Sequence, residues 1–298
     1  MLTNTVDIVC PLYNAENYID ALHASFLMQE NVAINNIKYI LTESSDKTEE
    51  KLKKLKCNYE TIKPSEFSHS LVREKAAFAS NADIVVFVTQ DVEIKRADWL
   101  YKLVCDINDD IVATYSRQIP KYNNLEKYTR EKNYPAVSKI VSKEDIPKYG
   151  LNTFFFSDAA SAIKRDIFIK LGGYDGKNLP ISEDMYIAYK IIMSGYKIKY
   201  CSESEVMHSH KFTLKQIYKR YKLTGQFFKE NEYLDKYGTT GSGKALAFYI
   251  LKRIVEEKRI DLFFRYPFDM AARLIGMKAG KKKWVKKLIL INLLLIYL

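Results

Sequence analysis

Residues 85–94 read VVFVTQDVEI, an apolar run that ends in Gln90 and Asp91. A carboxylate one step past a buried strand can face a ligand or simply fix a turn. The helical spacing at 97–108 leaves both readings open for Asp91. A second pair of acids, Glu183 and Asp184 in SEDM, opens a helical run over 183–194. Adjacent acids there suit the helix dipole and cap the first turn; the same carboxylates have the chemistry of a general base. His208 and His210 lie two apart, so on an extended segment they project from one face. Near neutral pH they are neutral imidazoles, the form that binds a metal, although isolated histidines are more often structural. In FSHSLVREKA, His69 and Arg73 stand one helical turn apart and share a face.

These groups need a frame. Short apolar or alternating runs predict strands at 6–13, 37–42, 59–62, 84–89, 111–116 and 196–201. Between them, helical spacing appears at 16–29, after the capping residues of SSDKTEEKLKKL, and at 68–80, 97–108 and 183–194. Such alternation predicts an α/β fold, a mostly parallel sheet with helices on both faces. Ligands in these sheets bind beyond the carboxyl ends of the strands, which is where Asp91 falls. Residues 120–160 are less regular, broken by Pro120 and Pro135. In LGGYD, Gly172 and Gly173 are expected to end a helix and allow a turn.

Composition is that of a globular chain with a sizeable core: 298 residues, 47% apolar and 28% charged. The 22 Tyr exceed what a core needs, so some are expected to line a surface or cleft. The formal charge of +11 is unevenly spread. From Lys211 onward, 20 Lys and Arg face 7 Asp and Glu, whereas the first 210 residues are near neutral. A near-neutral body with a basic tail predicts contact with an anionic surface. A polyanion-binding, non-enzymatic role is the rival class, but the positive charge sits away from the acid and histidine motifs, so nucleic acid is not the expected partner. The four cysteines form no C-x-x-C pair and read as free thiols of a reducing compartment. No basic region followed by an apolar run opens the sequence, and a cytoplasmic location is expected.

Taken in order, PLYNAENYI, SSDKT, FSHSLVREKA, VFVTQDV, SRQIP, LGGYD, SEDM and VMHSH followed by FTLKQIYKRY resemble the inverting glycosyltransferases of family 2 with the nucleotide-sugar GT-A fold. The closest resemblance within that family is to bacterial rhamnosyltransferases of cell-surface polysaccharide synthesis. It covers about residues 5–228 and implies a GT-A domain over 1–210, followed by a helical basic region over 211–298. It also implies transfer of a sugar, rhamnose from dTDP-rhamnose, to a lipid-linked glycan, with a UDP-hexose as the alternative donor. Such transfer needs cationic charge facing the departing diphosphate and a base for the attacking hydroxyl.

By this resemblance Asp91 holds a divalent cation, Mg2+ or Mn2+, with His210 and less firmly His208. Asp184 is the catalytic base, and Glu183 orients neighbours or binds the acceptor. The family's metal element is Asp-x-Asp and here reads Thr89-Gln90-Asp91-Val92, so only one carboxylate is certain; Gln90 offers a carbonyl oxygen without charge and is expected at the nucleotide sugar. Pro11, Tyr13 and Asn14 are expected in the nucleotide pocket, with Glu43 preferred over Asp46, which reads as a helix cap. His69 and Arg73 match the family's donor-binding motif, where Ser70 and Glu74 depart from its usual Gly and Asn. Arg117 and Gln118 are expected at the donor sugar.

The sequence closes on KKKWVKKLILINLLLIYL. As a helix, 288–298 would reach only about 17 Å, against about 30 Å of bilayer core. The expectation is a peripheral protein at the inner face of the cell membrane, its tail dipping into one anionic leaflet with Trp284 and the lysines at the head groups. Packing of this tail on the body, or a homo-oligomer contact, is the alternative.

Overall fold

Along the first strand Val6, Ile8, Cys10 and Leu12 enter one apolar cluster while Val9 enters another. That alternation means the central strands are covered on both faces, as a mostly parallel sheet requires. The computed structural model describes residues 4–282. Its amino-terminal half runs β1 (Thr5–Leu12), α1 (Ile19–Leu27), β2 (Ala33–Thr42), α2 (Thr48–Lys54), β3 (Asn58–Ile62), α3 (His69–Ala79), β4 (Ile84–Val88), α4 (Trp99–Val104), β5 (Ile111–Ile119) and α5 (Leu125–Asn133). Then follow β6 (Lys139–Val141), α6 (Ile146–Tyr149), β7 (Ala160–Lys164), α7 (Arg165–Lys170), α8 (Glu183–Met193) and β8 (Lys197–Met207). Three helices complete the described chain: α9 (Leu214–Glu230), α10 (Thr239–Glu256) and α11 (Ile260–Lys281).

The eight strands form one sheet in the order β3-β2-β1-β4-β7-β5-β8-β6. β1, β2, β3 and β4 are parallel, as are β5 and β8; β7 runs antiparallel between β4 and β5, and β6 antiparallel to β8. Two reversals across β7 leave β4 and β5 pointing the same way. The carboxyl ends of β1, β4, β5 and β8 therefore share one edge with the amino end of β7.

β5 and β8 are longer than their apolar runs predict. The polar stretches after Ser116 and Cys201 look like loops in sequence. A register shift between Ser116 and Arg117 lets Arg117, Gln118 and Ile119 pair with Glu205, Val206 and Met207. The extension carries Gln118 and His208 to the edge where Asp91 stands. Gly172 and Gly173 follow α7 with φ of 72° and 52°, making the expected turn.

The chain beyond 210 starts inside the main body: Phe227 and Phe228 of α9, and Leu234, join the larger core cluster. α10 and α11 meet α5 in a smaller cluster of Leu125, Tyr128, Ile250, Ile254 and Leu262. α9 and α11 pack backbone to backbone at Gly225, Gly276 and Gly280; a Cβ on Gly276 would lie 2.5 Å from the Tyr218 carbonyl oxygen. Among the described residues no helix is long and apolar enough to cross a membrane. The expected leaflet insertion of 288–298 lies outside the described residues.

Candidate active site

β4 ends at Val88, and the turn that follows carries Gln90 and Asp91. Glu93 then exchanges both main-chain hydrogen bonds with Met207 (3.0 and 2.9 Å), and the His208 N–H donates to the Ile119 carbonyl (2.9 Å). The backbone thus fixes where Asp91 meets the end of β8. His208 Nε2 lies 3.4 Å from one Asp91 carboxylate oxygen and His210 Nδ1 lies 3.5 Å from the other. One ligand atom from each of Asp91, His208 and His210 falls within 4.8 Å of the others.

Gln118 selects the form of His208. Its side-chain amide donates to Ser157 Oγ (2.8 Å), so its oxygen faces His208 Nδ1 at 2.8 Å. That oxygen can only accept, so Nδ1 carries the proton and Nε2 turns a lone pair toward Asp91. Burial lowers His208 below the usual histidine value. Burial, with the charge of His208, brings His210 down to about 4. Burial alone would raise Asp91, but when the two rings are protonated the hydrogen bond and charge of His208, with the charge of His210, hold its carboxyl well below the usual range. One carboxylate and two neutral imidazoles form a donor set that fits a divalent cation. Lys121 adds a contact the sequence did not signal: its ammonium donates to the Asp91 carbonyl oxygen and pairs with Glu93 at 3.0 Å.

A second cluster gathers at the start of α8. Ser182, just before it, is held at φ 63°, an uncommon conformation for a residue with a Cβ. Arg73 of α3, only 1% exposed, gives Nη1 to Glu183 at 2.9 Å and to the His69 carbonyl at 3.0 Å. Asp158, at the amino end of β7, accepts from Ser161 (2.8 Å) and the Tyr174 hydroxyl (2.8 Å). Asp184 accepts the Met185 N–H at 2.8 Å. Burial first, then the charges of Glu183 and Asp158, push the Asp184 carboxyl well above the ordinary carboxylate range. Burial raises Asp158 as well, against the opposing charge of Arg73. His69 packs edge-on against Phe67, and burial with the charges of Arg73 and Arg220 takes it down to about 4.

The loop leading into α8 is hung from α3. Ser70 Oγ donates to the Lys177 carbonyl (2.5 Å) and accepts the Leu179 N–H (2.9 Å). Glu74 accepts the N–H groups of Tyr174 and Gly176. The two positions that depart from the resembled motif, Ser70 and Glu74, are therefore what ties this loop down. A Cβ on Gly173 would come within 2.7 Å of Glu74 Oε2.

Asp184 and His210 open onto one cavity of about 210 Å³, together with Arg130, Tyr134, Ser157 and Arg220. Arg220 of α9 sits 5.8 Å over the Phe212 ring and has no ion-pair partner among the described residues. Arg220 belongs to FTLKQIYKRY, a run that carries the resemblance, but no role for it was legible there. Asp158 had a signal that went unread, because its apolar flanks, FFFS and AASA, place an acid at a strand end as VVFVT does for Asp91.

Other expected groups fall into place differently. Tyr13 is exposed, and its main-chain N–H and carbonyl are clasped by Gln90 at 2.7 and 2.9 Å. Asn14 (φ 47°) links to the loop after β2 through Ser44 and Ser45 (2.9 and 3.1 Å). Pro11 lies in β1, one residue from the strand's end, and Glu43 is exposed just past β2. Asp46 accepts from the Thr48 N–H at 3.0 Å but stands one residue before Lys47, the N-cap of α2. Three expectations are corrected. Arg73 was expected either at the donor nucleotide or its phosphates or on the surface, yet it is enclosed against Glu183. Gln118, 2% exposed, was expected at the donor sugar, yet both ends of its amide are spent on Ser157 and His208. Arg117, its neighbour, pairs with Glu205 at 2.8 Å and does not line the cavity.

Comparison with known proteins returns one consistent family. Residues 7–172 match the profile described as Glycosyl transferase family 2. O-antigen chain rhamnosyltransferase WbaN of Salmonella anatum is 34% identical over 285 residues, covering 92% of this chain and 88% of that protein. O-antigen chain rhamnosyltransferase RfbN of Salmonella typhimurium is 31% identical, covering 93% and 89%. Among solved structures, mannosyltransferase PcManGT from Pyrobaculum calidifontis, in complex with GDP-Man and Mn2+, aligns with a TM-score of 0.60 at 13% identity over 92% of this chain and 86% of that one. Glucosyl-3-phosphoglycerate synthase from Mycobacterium tuberculosis, with Mn2+ and UDP, aligns at 0.54 and 14% identity over 80% and 82%. At such identities the structural likeness is one of fold, and that fold is GT-A.

Proposed function

The chain belongs to glycosyl transferase family 2, and from that premise we propose that this glycosyltransferase moves rhamnose from dTDP-rhamnose to a lipid-linked polysaccharide acceptor with inversion. The observation that carries the reading is the shared cavity: Asp184 and His210 face one hollow, and His210 touches Asp91. The relatives named as rhamnosyltransferases support the choice of sugar.

Asp184 takes the proton of the acceptor hydroxyl as that oxygen attacks the anomeric carbon. The bond from that carbon to the diphosphate oxygen breaks on the opposite face, and the nucleoside diphosphate leaves with the bonding pair. Glu183, held by Arg73, keeps Asp184 at the mouth of α8 and keeps its carboxyl basic by repulsion. Asp91, His208 and His210 are the residues that would hold a divalent cation, Mg2+ or Mn2+. Bound there, the cation supplies charge to neutralise the departing diphosphate. Arg220 adds fixed positive charge from the other wall. Tyr13 and Asn14, with Pro11 and Glu43 beside them, form the edge where the nucleoside base and ribose rest.

The acceptor's lipid places the enzyme at a membrane. α11 supports this, because its faces are reversed relative to an ordinary surface helix. Phe263, Phe264, Phe268, Leu274 and Ile275 are exposed, while Asp269, Arg273, Gly276 and Gly280 are buried. Arg265 lies within that stretch, and Lys278, Lys281 and the basic tail follow it in sequence, so the partner is an anionic bilayer at the cytoplasmic face. Vesicle flotation of the full chain tests this: capture by anionic and not by neutral vesicles is expected, and capture by neither ends the membrane reading.

The test of the reaction is mass spectrometry of products from the full chain, Mg2+ or Mn2+, a panel of nucleotide sugars and a lipid-linked acceptor. A product heavier by one deoxyhexose, formed from dTDP-rhamnose only, is expected. A hexose-bearing product from a UDP-sugar would replace the donor assignment.

A further inference from the structure

A second cavity, of about 440 Å³, lies between α5, the 211–217 segment and α11. It shares Glu126, Phe212 and Ile217 with the catalytic cavity, so the two hollows adjoin. Its charges are unevenly committed. Glu126 pairs with Arg130 and Arg273 (3.6 and 3.4 Å), Asp261 with Arg259 (2.7 Å), and Asp269 with Arg273 (2.5 Å). All three carboxylates are thus neutralised locally. Lys211 and Arg265, in contrast, have no ion-pair partner among the described residues. The Lys211 ammonium rests 4.3 Å over the Tyr122 ring, and Arg265 gives one N–H to the Phe212 carbonyl at 3.0 Å. That single bond aims the guanidinium and leaves most of its donors open.

Two uncommitted cations in a hollow whose acids are already paired make a site for an anion. The site also has an apolar exit. Arg265 lies on α11 between Phe264 and Phe268, both more than 60% exposed. An anionic group continued by an apolar chain on one side and by a polar chain on the other fits this shape. The chemistry is that of a lipid phosphate.

We propose that this cavity seats the phosphate of the lipid-linked acceptor. Lys211 and Arg265 hold the phosphate oxygens, the lipid leaves over Phe264 and Phe268, and the glycan runs past Phe212 and Ile217 to Asp184. The direction of the glycan rests on the sugar-transfer reading; the anion site itself rests on the charges and the apolar exit.

Calorimetry with farnesyl diphosphate tests the proposal on the full chain, with Mg2+ and excess dTDP present to fill the donor site. Binding is expected in the wild type. It should weaken by at least about tenfold in Lys211→Ala/Arg265→Ala and stay unchanged in Lys244→Ala/Lys278→Ala, two cations outside the cavity. Farnesol and inorganic pyrophosphate should each bind more weakly than the whole probe. The proposal is overturned by equal binding to both double variants, or by displacement of the probe as dTDP and Mg2+ are raised. It is also overturned if Lys211→Ala/Arg265→Ala loses flotation with phosphatidylglycerol vesicles while keeping the probe, since the cations would then serve bulk lipid. Hydrolysis of the nucleotide sugar, followed in parallel, should be unchanged in Lys211→Ala/Arg265→Ala. Its absence from wild type and variant alike would remove the transfer reading and leave the lipid result standing.

Discussion

Asp184 lines one cavity with His210, His210 lies 3.5 Å from Asp91, and the surroundings of the two carboxyls treat them oppositely. Asp91 meets two imidazoles, one of them oriented by Gln118, and its carboxyl is held far down. Asp184 meets Glu183 and Asp158, with Arg73 spent on Glu183, and its carboxyl is pushed far up. Carboxyls driven apart in this way take different roles. A carboxylate that resists protonation suits a cation; one that seeks a proton suits a base.

The strongest way to break the contrast is Asp184→Asn. Removing a general base is expected to lower turnover by about 10² to 10⁴. Stability should move the other way. A raised folded-state value means the native protein holds a proton that the unfolded chain has released. Stability therefore falls as pH climbs from the unfolded value through the raised one. Asparagine removes that penalty, so the melting temperature near neutral pH should rise while activity disappears. The same shift predicts that wild-type turnover fails on the acid side well above pH 4, as Asp184 gains its proton. Normal turnover by the variant, or an acid limb in the ordinary carboxylate range, would deny Asp184 its role.

Arg73→Met tests what holds the upper cluster together. It strips the cation from a buried pair and leaves Glu183 and Asp158 facing each other. Breaking such a pair costs about 3–5 kcal/mol, which urea denaturation can read. Adding Glu183→Gln to the same chain should recover much of that loss. If the single change is neutral, Arg73 does not organise α8.

The comparison also separates what the sequence makes legible from what it hides. The frame was readable, because strands buried on both faces show as apolar runs and the helices between them keep their spacing. Asp91 and Asp184 were placed by motifs at strand and helix ends. The support beneath them was not readable. Gln118 and His208 meet only because β5 and β8 extend through polar residues after a register shift, and polar runs look like loops until a partner strand is known. Arg73 reads as a phosphate ligand in one dimension; its burial on Glu183 depends on how α3 crosses α8. Arg220 comes from a helix whose basic residues all look alike in sequence.

Gln118→Leu sharpens the lower half of the contrast. Without the amide oxygen the His208 ring loses its enforced tautomer, though its bulk stays packed. Changes of this kind behind a metal ligand lower affinity by about 10- to 100-fold. Mn2+ titration would measure it, with a stability loss of about 1–3 kcal/mol from the buried His208 N–H left without its acceptor. An unchanged Mn2+ affinity would mean His208 does not depend on Gln118, or does not bind the ion.

Gln90 carries the smallest effect and the sharpest distinction, because it stands beside Asp91 in the element that the resemblance makes metal-binding and can offer only a carbonyl oxygen. Here its amide is spent elsewhere: the oxygen takes the Tyr13 N–H and the nitrogen gives to the Tyr13 carbonyl. Two neutral hydrogen bonds at an exposed site are together worth about 1 kcal/mol, at the low end of the usual range. Gln90→Ala should therefore weaken nucleoside diphosphate binding by about fivefold and leave Mn2+ affinity and turnover at saturation near the wild type. A large loss of Mn2+ affinity would instead make Gln90 a ligand. His208 and His210 would then be accessory to Gln90 and Asp91.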